Sequence, residues 1–217
     1  MNDGDFVLLD FVGRIKESGE IFDLTKEEIA KENGLYNPNF IYKPIPVIVG
    51  SHFIIKGLEE EIKKMKVGDK KKIVVKPENG FGERSEKLIK LISIAEFKKQ
   101  NIDPYPGMPV TINNLRGRVL SVSGGRVKVD FNHPLAGKEL EYELEIKDEI
   151  KKNEDKVKAI VELFIKPDEN INVQISEGCA DIKLSNSIHT DTEKEIFEAI
   201  KKWIKDIKKV RFIQEFE

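Results

Sequence analysis

Apolar and polar positions change their period several times along this 217-residue chain, and each change predicts an element. Residues 5–16 alternate through Phe6, Leu8 and Asp10 into Phe11-Val-Gly-Arg, which predicts a strand; a Ser18-Gly19 turn leads to a second strand over 20–23. Thr25 with Glu28 forms a capping-box pattern for a short helix through Ile29 and Ala30, and Gly34 suits its left-handed stop. Pro38, Pro44 and Pro46 keep the next stretch extended as far as Gly50. Leu58, Ile62 and Met65 then fall at i, i+4 and i+7, the stripe of a short helix lying on a sheet, with residues 59–61 and Lys63-Lys64 on its wet face. Val67-Gly-Asp turns the chain into a strand over 70–76.

From about residue 87 the pattern becomes finer. Residues 88–94 are apolar, 95–99 suit a brief helical turn, and Pro104, Pro106 and Pro109 punctuate a loop. Short strands follow over 110–113, 118–123 and 126–131, with Gly124-Gly125 as a two-residue hairpin signal. Residues 139–147 return to a strand whose Leu140, Tyr142, Leu144 and Ile146 share one buried face. A charged linker is expected over 148–156, then strands over 158–166, 171–176 and 180–184. Thr192 and Glu195 suit a second capping box, ahead of Ile196, Phe197, Ile200, Trp203, Ile204 and Ile207 at helical spacing; a closing strand is expected over 211–216. Strands with interspersed short helices make the fold class α+β.

Composition narrows the chemistry. The 37 basic and 39 acidic residues nearly cancel, so no broad field favours nucleic acid or an anionic membrane as a partner. Cys179 is the single cysteine, which excludes an internal disulfide and suits a reducing compartment. No apolar run approaches the roughly 18 residues of a membrane span, and the chain starts without a basic, apolar leader; a cytoplasmic location is expected. His52, His133 and His189 are scattered, so neither a metal site nor a cofactor is expected, and Gly80-Phe-Gly82 is too short for a phosphate loop.

Three motifs carry a resemblance. Gly19-Glu-Ile-Phe-Asp-Leu-Thr25, the stretch from Val49-Gly-Ser-His-Phe-Ile-Ile-Lys-Gly-Leu-Glu to Pro77-Glu-Asn-Gly-Phe-Gly, and Asn132-His-Pro-Leu-Ala-Gly-Lys together resemble the FKBP family of peptidyl-prolyl cis-trans isomerases. The interruption of some fifty residues between the last two is similar to the SlyD-like branch, and the extra C-terminal stretch looks like its long archaeal members. The resemblance implies an FKBP-like antiparallel half-barrel with a short helix over residues 1–86 plus 129–152. It also implies a small β-rich insert-in-flap domain over 87–128, and leaves a C-terminal α+β domain over 153–217.

Rotating an X-Pro bond requires breaking amide resonance, a barrier of about 18–20 kcal/mol, and unassisted it takes tens to hundreds of seconds. A twisted amide has less charge separation than a planar one, so a dry apolar pocket that holds the proline ring favours it, with no nucleophile required. Carrying the family's motifs onto this chain places Phe22, Asp23, Phe81 and Tyr142 at the catalytic positions. Phe11, Ile45, Ile54, Ile55, Leu58 and Leu135 fall at substrate-binding positions, and the Ile55 amide would hold a substrate carbonyl. Asp23 is implied as a polar wall that positions the twisting amide. Phe11 and Phe81 stand where the family usually has tyrosine, and Leu58 where it usually has tryptophan; leucine there is usual for the SlyD-like branch. The hydroxyl missing at Phe81 implies weaker binding of small macrolide inhibitors.

In relatives the inserted domain binds unfolded polypeptide, which implies chaperone activity and unfolded or partly folded proline-containing chains as partners. Leu91, Ile92, Phe97, Tyr105, Met108 and Leu115 agree, being many apolar residues for so small a unit. The edge strands expected in 153–217 suit a homodimer. Two readings stay open: an isomerase whose insert concentrates substrate near the pocket, and a holdase with a vestigial barrel.

Overall fold

The computed structural model describes residues 1–165 and 171–214, and the chain forms two compact units, residues 1–75 with 140–217 and residues 76–139. The first unit begins with β1 (Phe6–Ile15), β2 (Ile21–Leu24), α1 (Glu27–Glu32), β3 (Ile45–Ile48), α2 (Lys56–Ile62) and β4 (Lys70–Val75). The second holds β5 (Ile89–Ser93), α3 (Ile94–Lys98), β6 (Pro109–Ile112), β7 (Leu115–Ser123) and β8 (Arg126–Asp130). The first resumes with β9 (Leu140–Glu149), α4 (Asn153–Phe164), β10 (Asn172–Ser176), β11 (Cys179–Leu184), α5 (Thr190–Trp203) and β12 (Lys209–Gln214). Among the described residues no helix is long and apolar enough to cross a membrane.

Strand β1 organises the first unit. One edge pairs with β9 along nearly its whole length; the other pairs with β3 over Phe6–Leu9 and with β2 over Val12–Arg14, and β4 closes the far side of β9. All pairings are antiparallel, and the strands form one five-stranded sheet. Leu9, Phe11, Gly13 and Ile15 lie on one face, opposite Ile146, Leu144, Tyr142 and Leu140 of β9. The other face of β9 is charged: Glu143 pairs with Arg14, and Glu145 accepts from Lys147 and Lys26, which pulls its carboxyl down to about 2. On that same outer face, Val12, Leu24 and Ala30 pack α1 against β1 and β2.

Thr25 is not the helix cap its spacing suggests. Its hydroxyl donates to Asp10 Oδ1 at 2.8 Å and accepts from the Phe11 N–H at 2.9 Å, leaving α1 to start after Lys26 with no side-chain cap. Both Asp10 and Thr25 are buried, and a buried carboxylate needs its partner more than an exposed helix end needs a cap. The second capping box is not used either: α5 starts at Thr190, two residues early, with His189 as its cap. Glu59, expected on the wet face of α2, is buried.

A larger difference lies after β9. The linker expected over 148–156 is the end of β9 and the first turn of α4, and the strand expected over 158–166 is helical through Phe164, with residue 166 outside the described set. Val157, Ile160, Val161 and Phe164 recur at three and four residues, while the run Ala159-Ile160-Val161 imitates a buried strand. The strands expected at 171–176 and 180–184 form as β10 and β11. The closing strand is β12, parallel to β11, with α5 as the crossover that a parallel pair requires. Residues 215 and 216 of that expected strand lie outside the described residues.

Where the sequence suggests a separate third domain over 153–217, this segment packs into the first unit. Phe6 of β1 and Ile48 of β3 share one buried cluster with Val157, Ile160, Ile182, Ile196 and Ile200. Trp203 is half-buried at the margin of that cluster. In the second unit the strands run β5-β8-β7-β6 around Phe97, Val119, Val127 and Val129. Gly124 and Gly125, both at positive φ (55° and 72°), make the tight turn between β7 and β8.

Candidate active site

An irregularity in β2 builds the site. Ile21 pairs with Arg14 and Asp23 with Gly13, so Phe22 has no partner and the ladder bulges. The bulge lets the Phe22 ring approach the same stretch of β1 that Asp23 faces. Its ring meets Tyr142 edge-on, with centroids 5.6 Å apart and an interplanar angle of 85°. Phe11 is tilted against the other side of Tyr142 at 6.1 Å.

Gly13 makes this closure possible. A Cβ built there would stand 2.7 Å from Phe22 Cζ and 2.9 Å from Tyr142 Cε1, closer than any real packing allows. Asp23, Gly13 and Tyr142 are paired in one row across β2, β1 and β9, so the missing side chain leaves the middle of that row to the aromatic rings. A glycine inside a strand pattern is the signal that marks such a close approach, and it is legible in Phe11-Val-Gly-Arg once sought.

The row has two polar groups. Asp23 is at the exposed rim, yet burial around its carboxyl raises its pKa, opposed by a hydrogen bond from the Leu24 backbone. Tyr142 is buried, and its phenol is pushed far up by burial and then by the Asp23 charge, so it stays protonated and remains an O–H donor. Three apolar rings with one neutral donor and one carboxylate at the rim can bind an apolar ring beside an amide. They provide no nucleophile.

Of the other expected site residues in this unit, Ile45 pairs with Leu9 and so shares the face of Phe11. Ile54 and Ile55 lead into α2, and Leu58 is buried in its first turn. The Ile55 carbonyl accepts from the Leu58 and Glu59 amides, while its own N–H has no partner among the described residues. The preceding loop is held by a pair that sequence reasoning missed. Glu59 accepts from the His52 N–H at 3.0 Å and contacts His52 Nδ1 at 2.8 Å, supporting His52 at φ 63°. A non-glycine residue in that region carries strain and persists only where its surroundings impose it.

Phe81 and Leu135 belong to the second unit. There Phe81 stacks flat on His133, centroids 4.3 Å apart and planes within 1°, and the Leu135 N–H donates to His133 Nδ1. Arg84 pairs with Asp130, whose carboxylate also holds Asn132, and Asn132 in turn bonds the Ser85 backbone in both directions. The two chain crossings that bound the insert are therefore tied to each other. Among the described residues no three His, Cys, Asp or Glu side chains are grouped to hold a metal ion.

Residues 1–98 match the profile described as FKBP-type peptidyl-prolyl cis-trans isomerase, and residues 90–135 match that of the FKBP26 IF domain. A short-type peptidyl-prolyl cis-trans isomerase of Methanocaldococcus jannaschii is 37% identical over 145 residues, 67% of this chain and 91% of that one. A probable FKBP-type 16 kDa isomerase of Pseudomonas fluorescens is 35% identical over 123 residues, 54% of this chain and 81% of that one. The isomerase SlyD of Helicobacter pylori is 31% identical over 113 residues, 50% and 60% of the two chains.

Two outcomes follow from the row. Gly13→Ala forces the rings apart and should destabilise the protein by about 1–3 kcal/mol in urea unfolding, with shifted Phe22 and Tyr142 ring resonances; unchanged stability and spectra would contradict the packing. The raised Asp23 pKa means that the folded state holds this proton more tightly than the unfolded chain. Stability therefore declines as pH rises from the ordinary value of 3.8 through the raised one. Asp23→Asn should accordingly be more stable than wild type in urea at pH 7, with an advantage that shrinks as pH is lowered towards about 4. An advantage that is absent, or that grows on acidification, would refute the shift.

Proposed function

The chain belongs to the FKBP-type peptidyl-prolyl cis-trans isomerase family, and from that premise we propose that it accelerates proline-limited protein folding, with its inserted unit holding unfolded polypeptide for the pocket. Phe11, Phe22, Leu58 and Tyr142 form the apolar walls for the proline ring. The bond preceding proline twists there because the less charge-separated, rotated amide loses less on leaving water than the planar one. The Ile55 N–H holds a substrate carbonyl, and Asp23 lines the side along which the preceding carbonyl swings. Phe81, stacked on His133, and Leu135 are assigned to substrate through their motif positions within the second unit.

The observation that carries this reading is the Phe11–Tyr142–Phe22 group around Gly13 with Asp23 in the same row. It also supports a revised place for the hydroxyl. Phe11 and Phe81 lack one, and Tyr142 supplies a protonated O–H beside Asp23 instead. That donor can bond a substrate carbonyl or the Asp23 carboxylate, and either orients the twisting amide.

Holding polypeptide is assigned to residues 87–128, and the isomerase module to residues 1–86 with 129–152. A groove of about 670 Å³ in the second unit supports this reading; Ile92, Phe97, Ile102, Met108, Leu115 and Phe131 line part of it. Leu91, Tyr105 and Leu115 are exposed large apolar side chains on the same unit, at 63%, 61% and 59%. Residues 153–217 are assigned to self-association, since β12 is an edge strand of the β10-β11-β12 sheet. The protein is proposed to work in the cytoplasm, on proline-containing chains, without nucleic acid, membrane or cofactor.

A refolding assay limited by proline isomerisation separates the roles. Wild type should speed refolding and suppress aggregation. Asp23→Ala and Tyr142→Phe should slow catalysis by about tenfold or less, roughly the 1.4 kcal/mol of one hydrogen bond to a charged or orienting group, while suppression persists. Deleting residues 88–128 should abolish suppression and weaken catalysis on protein substrates more than on short peptides. Suppression by wild type with no acceleration at all would leave only a holdase. For self-association, sedimentation of the full chain should give a dimer; a monomeric full chain would reject the proposal.

A further inference from the structure

The loop from Gly50 to Ile55, which carries the amide assigned to the substrate carbonyl, is held at three points, and one of them comes from far along the chain. Gly50, at φ 81°, packs so closely on the Asp3 side chain that a Cβ would stand 2.7 Å from Asp3 Oδ1. His52 is clamped by Glu59 of α2. Phe53 meets the ring of Phe164, the last residue of α4, edge-on at 5.7 Å and 84°. Phe53 is 48% exposed, so the loop has little burial of its own to fix it there.

Helix α4 is itself anchored beside this loop. Val157, Ile160 and Val161 share the buried cluster with Phe6 and Ile48, the paired residues of β1 and β3 just before Gly50. Two residues before Phe164, Glu162 takes Lys43 Nζ on both carboxylate oxygens, at 3.0 and 3.1 Å. The segment of β3 and its loop is thus gripped at both ends by one helix, at Lys43 before the strand and at Phe53 after it.

We propose that α4 is a positioning element of the isomerase pocket, with Phe164 as the positioning residue that sets the Gly50–Ile55 loop and so aims the Ile55 amide. Helix α4 then serves the pocket by positioning it, whatever else the C-terminal segment does. This rests on the reading of Ile55 as the donor to the substrate carbonyl. An edge-to-face aromatic pair is worth about 0.5–1.5 kcal/mol, which corresponds to a roughly two- to thirteenfold effect if it acts on one conformation of the loop.

The test uses the full-length chain and a short proline peptide. Phe164→Ala should lower kcat/KM by roughly two- to thirteenfold, speed hydrogen exchange at the Ile55 amide and shift its resonance. Phe164→Leu should restore part of each. Phe53→Ala should give the same loss, and the double variant no more than either alone. Ile200→Val, which loosens the same buried cluster away from Phe53, should change unfolding stability but neither kcat/KM nor the Ile55 signals. An unchanged Ile55 resonance in Phe164→Ala, losses that add in the double variant, or an equal loss in Ile200→Val would overturn the proposal. A displaced Ile55 amide with unchanged kcat/KM would leave the loop positioned by Phe164 and reject Ile55 as the donor.

Discussion

Strand β1 has to bury both of its faces, and the first unit is arranged to satisfy that constraint. Its odd-numbered residues, Leu9 to Ile15, line the face that carries the site. Its even-numbered residues meet α1 at Val12 and the α4–α5 layer at Phe6. A strand with two buried faces cannot slip by one residue, because a slip would exchange the face with Phe11 and Gly13 for the face with Asp10 and Arg14. The buried Asp10–Thr25–Phe11 hydrogen bonds add a second lock on the same register. The placement of the site thus follows from how β1 is covered.

On that frame, catalysis of bond rotation needs little chemistry and much placement. The gap at Gly13 lets two rings from different strands converge, and the bulge at Phe22 turns one of them inward. Burial raises the cost of ionising both polar groups left in the row, Asp23 and Tyr142, and at Tyr142 the Asp23 charge adds to it, so the phenol keeps its proton. Phe11 of β1 carries no hydroxyl, and Tyr142 on the neighbouring strand β9 does.

The loop before α2 shows how the remaining precision is obtained. It is short, strained at His52 and half exposed, and its geometry is imposed by groups from the N-terminus, from α2 and from α4. Each holds a different residue of the loop. Sequence-distant attachment of this kind stabilises one backbone conformation of an exposed loop.

Much of the architecture is legible in the residues. The alternation at Leu140, Tyr142, Leu144 and Ile146, the stripe Leu58-Ile62-Met65 and the Gly124-Gly125 turn each report a local preference that the folded chain keeps, because in each the burial demanded by the tertiary structure has the same period as the pattern. Where local and long-range demands differ, the long-range one prevails. Thr25 leaves its capping box for a buried carboxylate, Glu59 leaves the wet face for His52, and residues 153–164 become a helix because one face of them is needed against Phe6 and Ile48. The motifs likewise name candidate site residues, but the meeting of Phe22 with Tyr142 over Gly13, and of Phe53 with Phe164 across more than a hundred residues, depends on strand register and layer packing. The sequence by itself determined the family, the strand alternation and the apolar, nucleophile-free character of the pocket, since these depend on residue type and near neighbours. Only the tertiary structure decided which side chains touch, because contact is set by what distant segments must bury together.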